Sequence, residues 1–247
     1  MASLLRAELL RSVSGRVLAA LLLIAVLLNA LSIVGSSGAE IDSLHAGRLT
    51  LAAVSHDLVR LGFGALLFST LFGAMLATSE FRHGSIARSL FMAGGAERLI
   101  VAKSVAALAS GVAFGVAGVA SAVLASAIVL HARGVALVFD GESALIMVGV
   151  FAATVLSALW GMLLGWVVRS QIAALVGIMA WTLIAESAII ALAPGVGRFL
   201  PGGAQASIYR DVANGPVATP WGYVLFLGWI AAGAAVALEL GRRRDLA

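Results

Sequence analysis

The sequence predicts an all-α integral membrane protein of six spans, and three observations carry that expectation. Of its 247 residues, 62% are hydrophobic and only 11% charged, with a mean hydropathy of +1.08, whereas soluble domains carry about 25% charged residues. Six apolar runs each reach the length of about 20 residues that a helix needs to cross a hydrocarbon layer. The connections between them are too short to fold as soluble domains, so residues 1–247 read as a single transmembrane domain.

Ahead of the first run, Leu5, Leu9 and Val13 fall at i, i+4 and i+8, with Glu8 and Arg11 on the other side. That is the pattern of an interfacial helix on the inner surface; a positively charged flank that merely orients the first span fits equally. The first run, about 17–34, follows Arg6, Arg11 and Arg16 and precedes the small residues 35–39. It exceeds the roughly 7–15 residues of a signal-peptide core, so it reads as a retained span. The second run covers about 61–79, the third 99–130, the fourth 144–168, the fifth 172–193 and the sixth 222–240. Residues 35–60, 131–143 and 194–221 are then outer loops, and 80–98 is an inner loop.

Basic residues set the expected orientation, because Lys and Arg accumulate on the cytoplasmic side. With both termini inside, the inner segments hold eleven basic residues, Arg6, Arg11, Arg16, Arg82, Arg88, Arg98, Lys103, Arg169, Arg242, Arg243 and Arg244. The outer ones hold five: Arg48, Arg60, Arg133, Arg198 and Arg210. Both termini are therefore expected in the cytoplasm. Lys103 is the sole lysine among sixteen basic residues; with the Ala and Gly richness, this points to a GC-rich bacterial genome and hence to a bacterial cytoplasmic membrane.

Several chemistries find no support. The chain has no cysteine, which removes disulfides, thiolate catalysis and Cys-based metal sites. His45, His56, His83 and His131 are scattered without metal-ligand spacing. No catalytic, cofactor-binding or metal residue is expected, and no nucleic-acid partner. Gly111 and Gly115, and Gly161 and Gly165, form GxxxG spacings that allow close helix packing.

All four prolines, Pro194, Pro201, Pro216 and Pro220, lie between the fifth and sixth runs. Gly195, Gly197, Gly202, Gly203 and Gly215 accompany them, and the stretch from Phe199 to Val212 between stays fairly apolar. Irregular backbone at membrane depth persists only where protein or water covers it, so a re-entrant or surface-lying element is expected, with a plain outer loop as the alternative. Glu186 lies about 5 Å from the centre of the fifth run at 1.5 Å per residue. It is the intramembrane functional candidate, either on a substrate path or as a protonated group bonded inside the bundle.

The inner loop is the most informative segment. Ser85 is placed to cap a short helix with Ile86 and Leu90 on one face, and Gly94-Gly95 to end it. A short amphipathic helix with charged flanks is a docking surface for a cytoplasmic partner; a solvated connector is the plainer alternative. Glu80, Phe81, Arg82, Gly84, Ser85, Ile86 and Leu90, with Lys103 opening the third run, resemble in register the permease subunits of type-2 ABC exporters. Ala93 and Ala96 depart from that pattern, which has Pro and then Arg there, and Arg98 is displaced by two.

The resemblance implies a coupling helix at this loop that docks on separate ABC ATPase subunits, which would bind ATP and Mg. This chain has no G-x-x-x-x-G-K-[ST] phosphate loop of its own and is expected to be a transport subunit rather than an enzyme. Phe81, Ile86, Leu90 and Phe91 are expected to form the docking ridge, and Glu80 and Arg82 to pin it. A second permease copy or a related chain completes the pore, and the apolar spans favour hydrophobic or amphipathic cargo. The alternatives are a non-transporting scaffold, immunity or regulatory protein, and a secondary transporter.

Overall fold

The computed structural model describes residues 2–13, 15–211 and 216–244, with side chains for 4–12, 15–211 and 216–242. Val13 of the expected apolar face, Val212, Gly215, Arg243 and Arg244 lie outside the described residues or side chains. No strand occurs among the described residues. Helix α1 (Ala2–Val13) precedes α2 (Arg16–His45), α3 (Leu51–Arg60) and α4 (Ala65–Arg82). Then come α5 (Ile86–Ala93), α6 (Ala96–Ala132), α7 (Gly141–Val168), α8 (Gln171–Ala180) and α9 (Ser187–Leu192). Short helices α10 (Pro194–Gly197) and α11 (Pro201–Ile208) lead to α12 (Thr219–Arg244).

Six segments are long and apolar enough to cross a membrane: Arg16–His45, Leu51–Arg82, Ala96–Ala132, Gly141–Val168, Gln171–Leu192 and Thr219–Arg242. Two of them are not continuous α-helix. A 3-10 turn at Leu61–Gly64 joins α3 to α4, and a π-helical stretch at Trp181–Glu186 joins α8 to α9.

The helices outrun the apolar runs, chiefly in the segment expected as the outer loop 35–60. There α2 continues to His45 and α3 begins at Leu51, leaving only residues 46–50 as a connection. Hydropathy marks the part of a helix that sits in hydrocarbon; the polar turns beyond it stay helical because one face packs on α3 and α6, while helix carbonyls satisfy their serine hydroxyls. Ser36 Oγ donates to the Ser32 carbonyl at 2.9 Å and Ser37 Oγ to that of Val34 at 2.8 Å. Ile33, Ile41, Val54, Leu58 and Leu130 then bury one another above the main core. Thr50 caps α3, its side chain accepting from the Ala53 N–H at 3.2 Å.

Helices α4 and α7 form the centre and touch backbone to backbone. A Cβ at Gly161 would lie 1.9 Å from the Thr70 carbonyl oxygen, and one at Gly73 would lie 2.0 Å from that of Ala158. Gly111 and Gly115 of α6 meet Val155 and Phe151 of α7, and Gly165 meets Ala74. Both GxxxG spacings are therefore spent on packing within this chain. In the first span, Asn29 is buried and donates to Ser121 Oγ of α6 at 3.2 Å, a contact that sequence reading did not find.

Residues 194–211, the described part of the segment between α9 and α12 that follows α9, are re-entrant. The Trp229 indole, ten residues into α12 and so about 15 Å from that helix's start, donates to the Phe199 carbonyl at 2.9 Å. Gln205 Nε2 donates to Ser157 Oγ at 3.1 Å, sixteen residues and about 24 Å along α7. At the other end of α11, Arg210 pairs with Glu142 in the first turn of α7 at 2.5 Å. The chain thus dips from the end of α9 to mid-span depth and climbs back along α11. Pro201, Gly203, Ala204, Ser207 and Ile208 are buried, so protein covers this irregular backbone.

Candidate functional site

The charged inner-loop motif closes on a buried ion cluster. Lys103 Nζ donates to Glu80 Oε1 at 3.0 Å, to Glu8 Oε2 at 3.1 Å and to the Leu76 carbonyl at 3.1 Å. Those three acceptors match the three donors of an ammonium group. Arg11 Nη1 reaches Glu80 Oε1 at 2.5 Å and Glu8 Oε1 at 3.5 Å. Two carboxylates thus face two cations, with the Lys103, Glu80 and Glu8 side chains 1%, 3% and 6% exposed. Opposite charges withdrawn from water survive only in such a matched, hydrogen-bonded arrangement.

This cluster corrects the expected face of α1. Periodicity places Glu8 on the side away from the apolar stripe, yet it is buried with Ser12, while Leu10 is 61% exposed. The reason is Lys103: its ammonium, seven residues into α6, draws the one acidic residue of α1 onto the bundle. Leu4 packs against the main core, while Leu5 and Leu9 are half-buried. Glu186 is therefore not alone among ionisable groups set within a span.

The remaining motif residues hold the turn from α4 into α5. Gly84 adopts φ 65°, the left-handed region that glycine enters freely, and the Ser85 N–H returns to the Glu80 carbonyl at 3.0 Å. Phe81 meets Trp166 edge to face at 5.7 Å, and the Arg169 guanidinium lies 5.4 Å from its ring centroid. Arg82 is exposed and reaches Gln171 Oε1 at 3.3 Å, a contact from the end of α4 to the neighbouring fifth span. Ser85 occupies the N-cap position of α5, but its side chain makes no capping bond. Its ψ of −1° is not the extended conformation in which an N-cap hydroxyl reaches the N–H groups ahead. Gly94, at φ 73°, ends α5 as expected, with the Gly94 and Gly95 N–H groups both on the Leu90 carbonyl.

The expected docking ridge is divided by the structure. Phe81, Ile86 and Leu90 pack against the main core, whereas Phe91 is 89% and Met92 74% exposed. One turn of α5 separates an inward face, Ile86 and Leu90, from an outward tip, Phe91 and Met92, beside exposed Arg88.

Near mid-span, Glu186 closes the π-helical stretch and is buried. Its Oε1 accepts from the Gly202 N–H at 2.5 Å. Leu200 holds the N-cap position of α11 and has no side-chain acceptor, so Glu186, from another span, fills that role. Cavities of about 410 Å³ and about 390 Å³ adjoin at Glu186, sharing Leu66, Leu67, Thr182 and Gln205. Phe63, in the 3-10 turn of the second span, stacks on Tyr209 at 5.3 Å and lines the larger one. Both helix irregularities therefore border the same space.

His56 Nε2 lies 2.9 Å from Oδ1 of Asp140, the residue just ahead of the fourth span, tying α3 to the cap of α7. Asp140 accepts from the Ser143 N–H at 2.8 Å in a capping box. That backbone bond, then the His56 bond, lowers its pKa to about 2.

The six spans, the buried ion cluster and the re-entrant helix define an all-α, multi-pass membrane protein. No family model and no curated protein matches the chain.

Proposed function

We propose that this chain is the membrane-spanning subunit of an ATP-driven exporter of the type-2 ABC class, working with separate ATPase subunits in a bacterial cytoplasmic membrane. The observation that carries the reading is the Glu80–Lys103 pair. It closes the base of the α4–α5–α6 hairpin at 3.0 Å and leaves Phe91 and Met92 projecting from its tip. A helix whose root is fixed by buried ions and whose apolar tip stands free suits the transfer of force from a partner to the bundle. Through Glu8 and Arg11, α1 shares the same anchor. In this reading both termini and α5 face the cytoplasm, a second permease chain completes the pore, and the cargo is hydrophobic or amphipathic.

A secondary transporter is the second reading, and one observation favours it. The interrupted spans are the second and the fifth, corresponding positions of two three-span halves, and such pairs mark binding sites in repeat-built transporters. Affinity purification from the native membrane in mild detergent separates the two. A stoichiometric partner bearing a phosphate-loop motif is expected; its absence, while other membrane complexes survive, favours the secondary transporter.

A further inference from the structure

We infer that the smaller cavity, between α4, α7, α12 and the fifth span, is a binding site for a lipophilic organic cation. Among its lining residues Glu186 is the sole ionisable group, while Trp160, Trp181 and Trp229 contribute three indoles. Trp160 and Trp229 form an edge-to-face pair at 6.2 Å, and Trp229 is fixed by its bond to the Phe199 carbonyl. A carboxylate with indole rings around it is the chemistry that recognises an organic cation: the charge supplies attraction, and the ring faces accept a diffuse positive surface without demanding hydrogen bonds. The other walls are mostly apolar, with Leu66, Leu164 and Ile178 among them, which suits a cation clothed in hydrocarbon.

Glu186 retains capacity for such a ligand. The Gly202 N–H bonds one of its oxygens, fewer than the roughly four lone-pair directions of a carboxylate. Among the described residues no cationic side chain forms an ion pair with it. The cavity, about 390 Å³, falls within the range of about 300–1,000 Å³ of small-molecule sites. A neutral acyl chain would fill the apolar walls but leave the carboxylate unmatched, and the charge therefore argues for the cation. That the cation is cargo rests on the exporter reading; that it binds does not.

The test is equilibrium binding of tetraphenylphosphonium to the purified full chain in nanodiscs, without any ATPase, beside neutral triphenylphosphine oxide. Saturable cation binding is expected, weakened about tenfold or more by Glu186→Gln and severalfold by Trp160→Leu, with the neutral compound bound far more weakly. Gln keeps an acceptor for the Gly202 N–H, so this variant retains the support of α11; helix content by circular dichroism checks both variants. Should Glu186→Gln fail to fold, Trp160→Leu and the neutral compound decide. Equal affinity for the neutral compound, as in a slot for any acyl chain, overturns the inference, as does undiminished cation binding by folded Glu186→Gln. The chain has no cysteine, so Gly177→Cys, on the cavity wall, reports a covering copy. Efficient disulfide-linked dimer formation with no cation binding also overturns it. Any of these failures leaves ATPase co-purification, and with it the exporter reading, untouched.

Discussion

Lys103 Nζ and Glu80 Oε1 lie 3.0 Å apart although 23 residues separate them in the chain, and both side chains are shut away from solvent. Lys103→Met leaves Glu80 and Glu8 sharing the single charge of Arg11, and breaking a buried pair in this way costs about 3–5 kcal/mol. Adding Glu80→Gln restores the balance, with Glu8 facing Arg11. The double variant should therefore unfold at a higher temperature in detergent than Lys103→Met alone. A double variant no more stable than the single one would show that Glu80 feels no charge from Lys103.

The two faces of α5 predict different outcomes for neighbouring substitutions. Phe91→Asp places a charge in water and should melt like the parent, yet lose the co-purifying ATPase. Leu90→Asp drives a carboxylate against the core and should lose about 2 kcal/mol or more of stability, with any loss of the partner following from that damage. A Phe91→Asp variant that keeps its ATPase at full stoichiometry removes α5 as the docking element.

Gly161 and Gly177 offer a matched comparison within two spans. A methyl at Gly161 meets the Thr70 carbonyl at 1.9 Å, whereas nothing lies within 4 Å of one at Gly177. Gly161→Ala should cost about 1–3 kcal/mol through separation of α4 from α7. Gly177→Ala should be neutral or gain up to about 1 kcal/mol from helix propensity. Fluorescence-detected thermal melts of the two variants decide the comparison, and equal melting temperatures would contradict the α4–α7 contact.

The six spans were legible because composition alone excludes a soluble core, and Glu186 was legible because a carboxylate stands out in an apolar run. The spacing of Glu80 and Lys103 was read as a register; their ion pair is the physical content of that spacing. What the sequence did not yield are the places where polarity and burial part company. Glu8 and Arg11 look like a solvent face by periodicity; Arg11 stays exposed, and only the position of Lys103 in space turns Glu8 inward. Ile86, Leu90 and Phe91 are all apolar, so pattern cannot say which pack and which project. The partner of Glu186 is the backbone N–H of Gly202, and a backbone group leaves no side-chain signature. Residues 35–45 read as a loop because they are polar, although serines whose hydroxyls donate to carbonyls three or four residues back can stay in a helix.

Asp140 sets a pH dependence at the α3–α7 junction. Its pKa is lowered from 3.8 to about 2 by the Ser143 backbone bond and the His56 bond. A carboxyl with a depressed folded-state pKa binds its proton more readily when unfolded. Its stabilisation is therefore complete above about pH 4 and is lost as pH falls through about 2. Asp140→Asn removes that titration while keeping a weaker cap. The melting-temperature gap between parent and variant should narrow as pH falls from about 4 towards 2; a gap at about pH 2.5 equal to that at about pH 4 would show that the capping carboxylate is not the titrating group.

Glu186 supplies the acceptor that α11 lacks, so the effect of replacing it should depend on whether an acceptor remains. Glu186→Ala leaves the Gly202 N–H without its partner, at a cost of about 0.5–2 kcal/mol, as for a lost N-cap. Glu186→Gln keeps an oxygen in place and should retain most of that support. In this cysteine-free chain, a single cysteine at half-buried Ala206 reports on α11 directly. Modification of Ala206→Cys by a membrane-impermeant maleimide should be faster in the Glu186→Ala background than in the parent and close to the parent in Glu186→Gln. Identical rates in all three backgrounds would mean that α11 is held by its packing on α7 and α12 alone. A rate raised equally by Ala and by Gln would assign the effect to the negative charge of Glu186 rather than to the hydrogen bond.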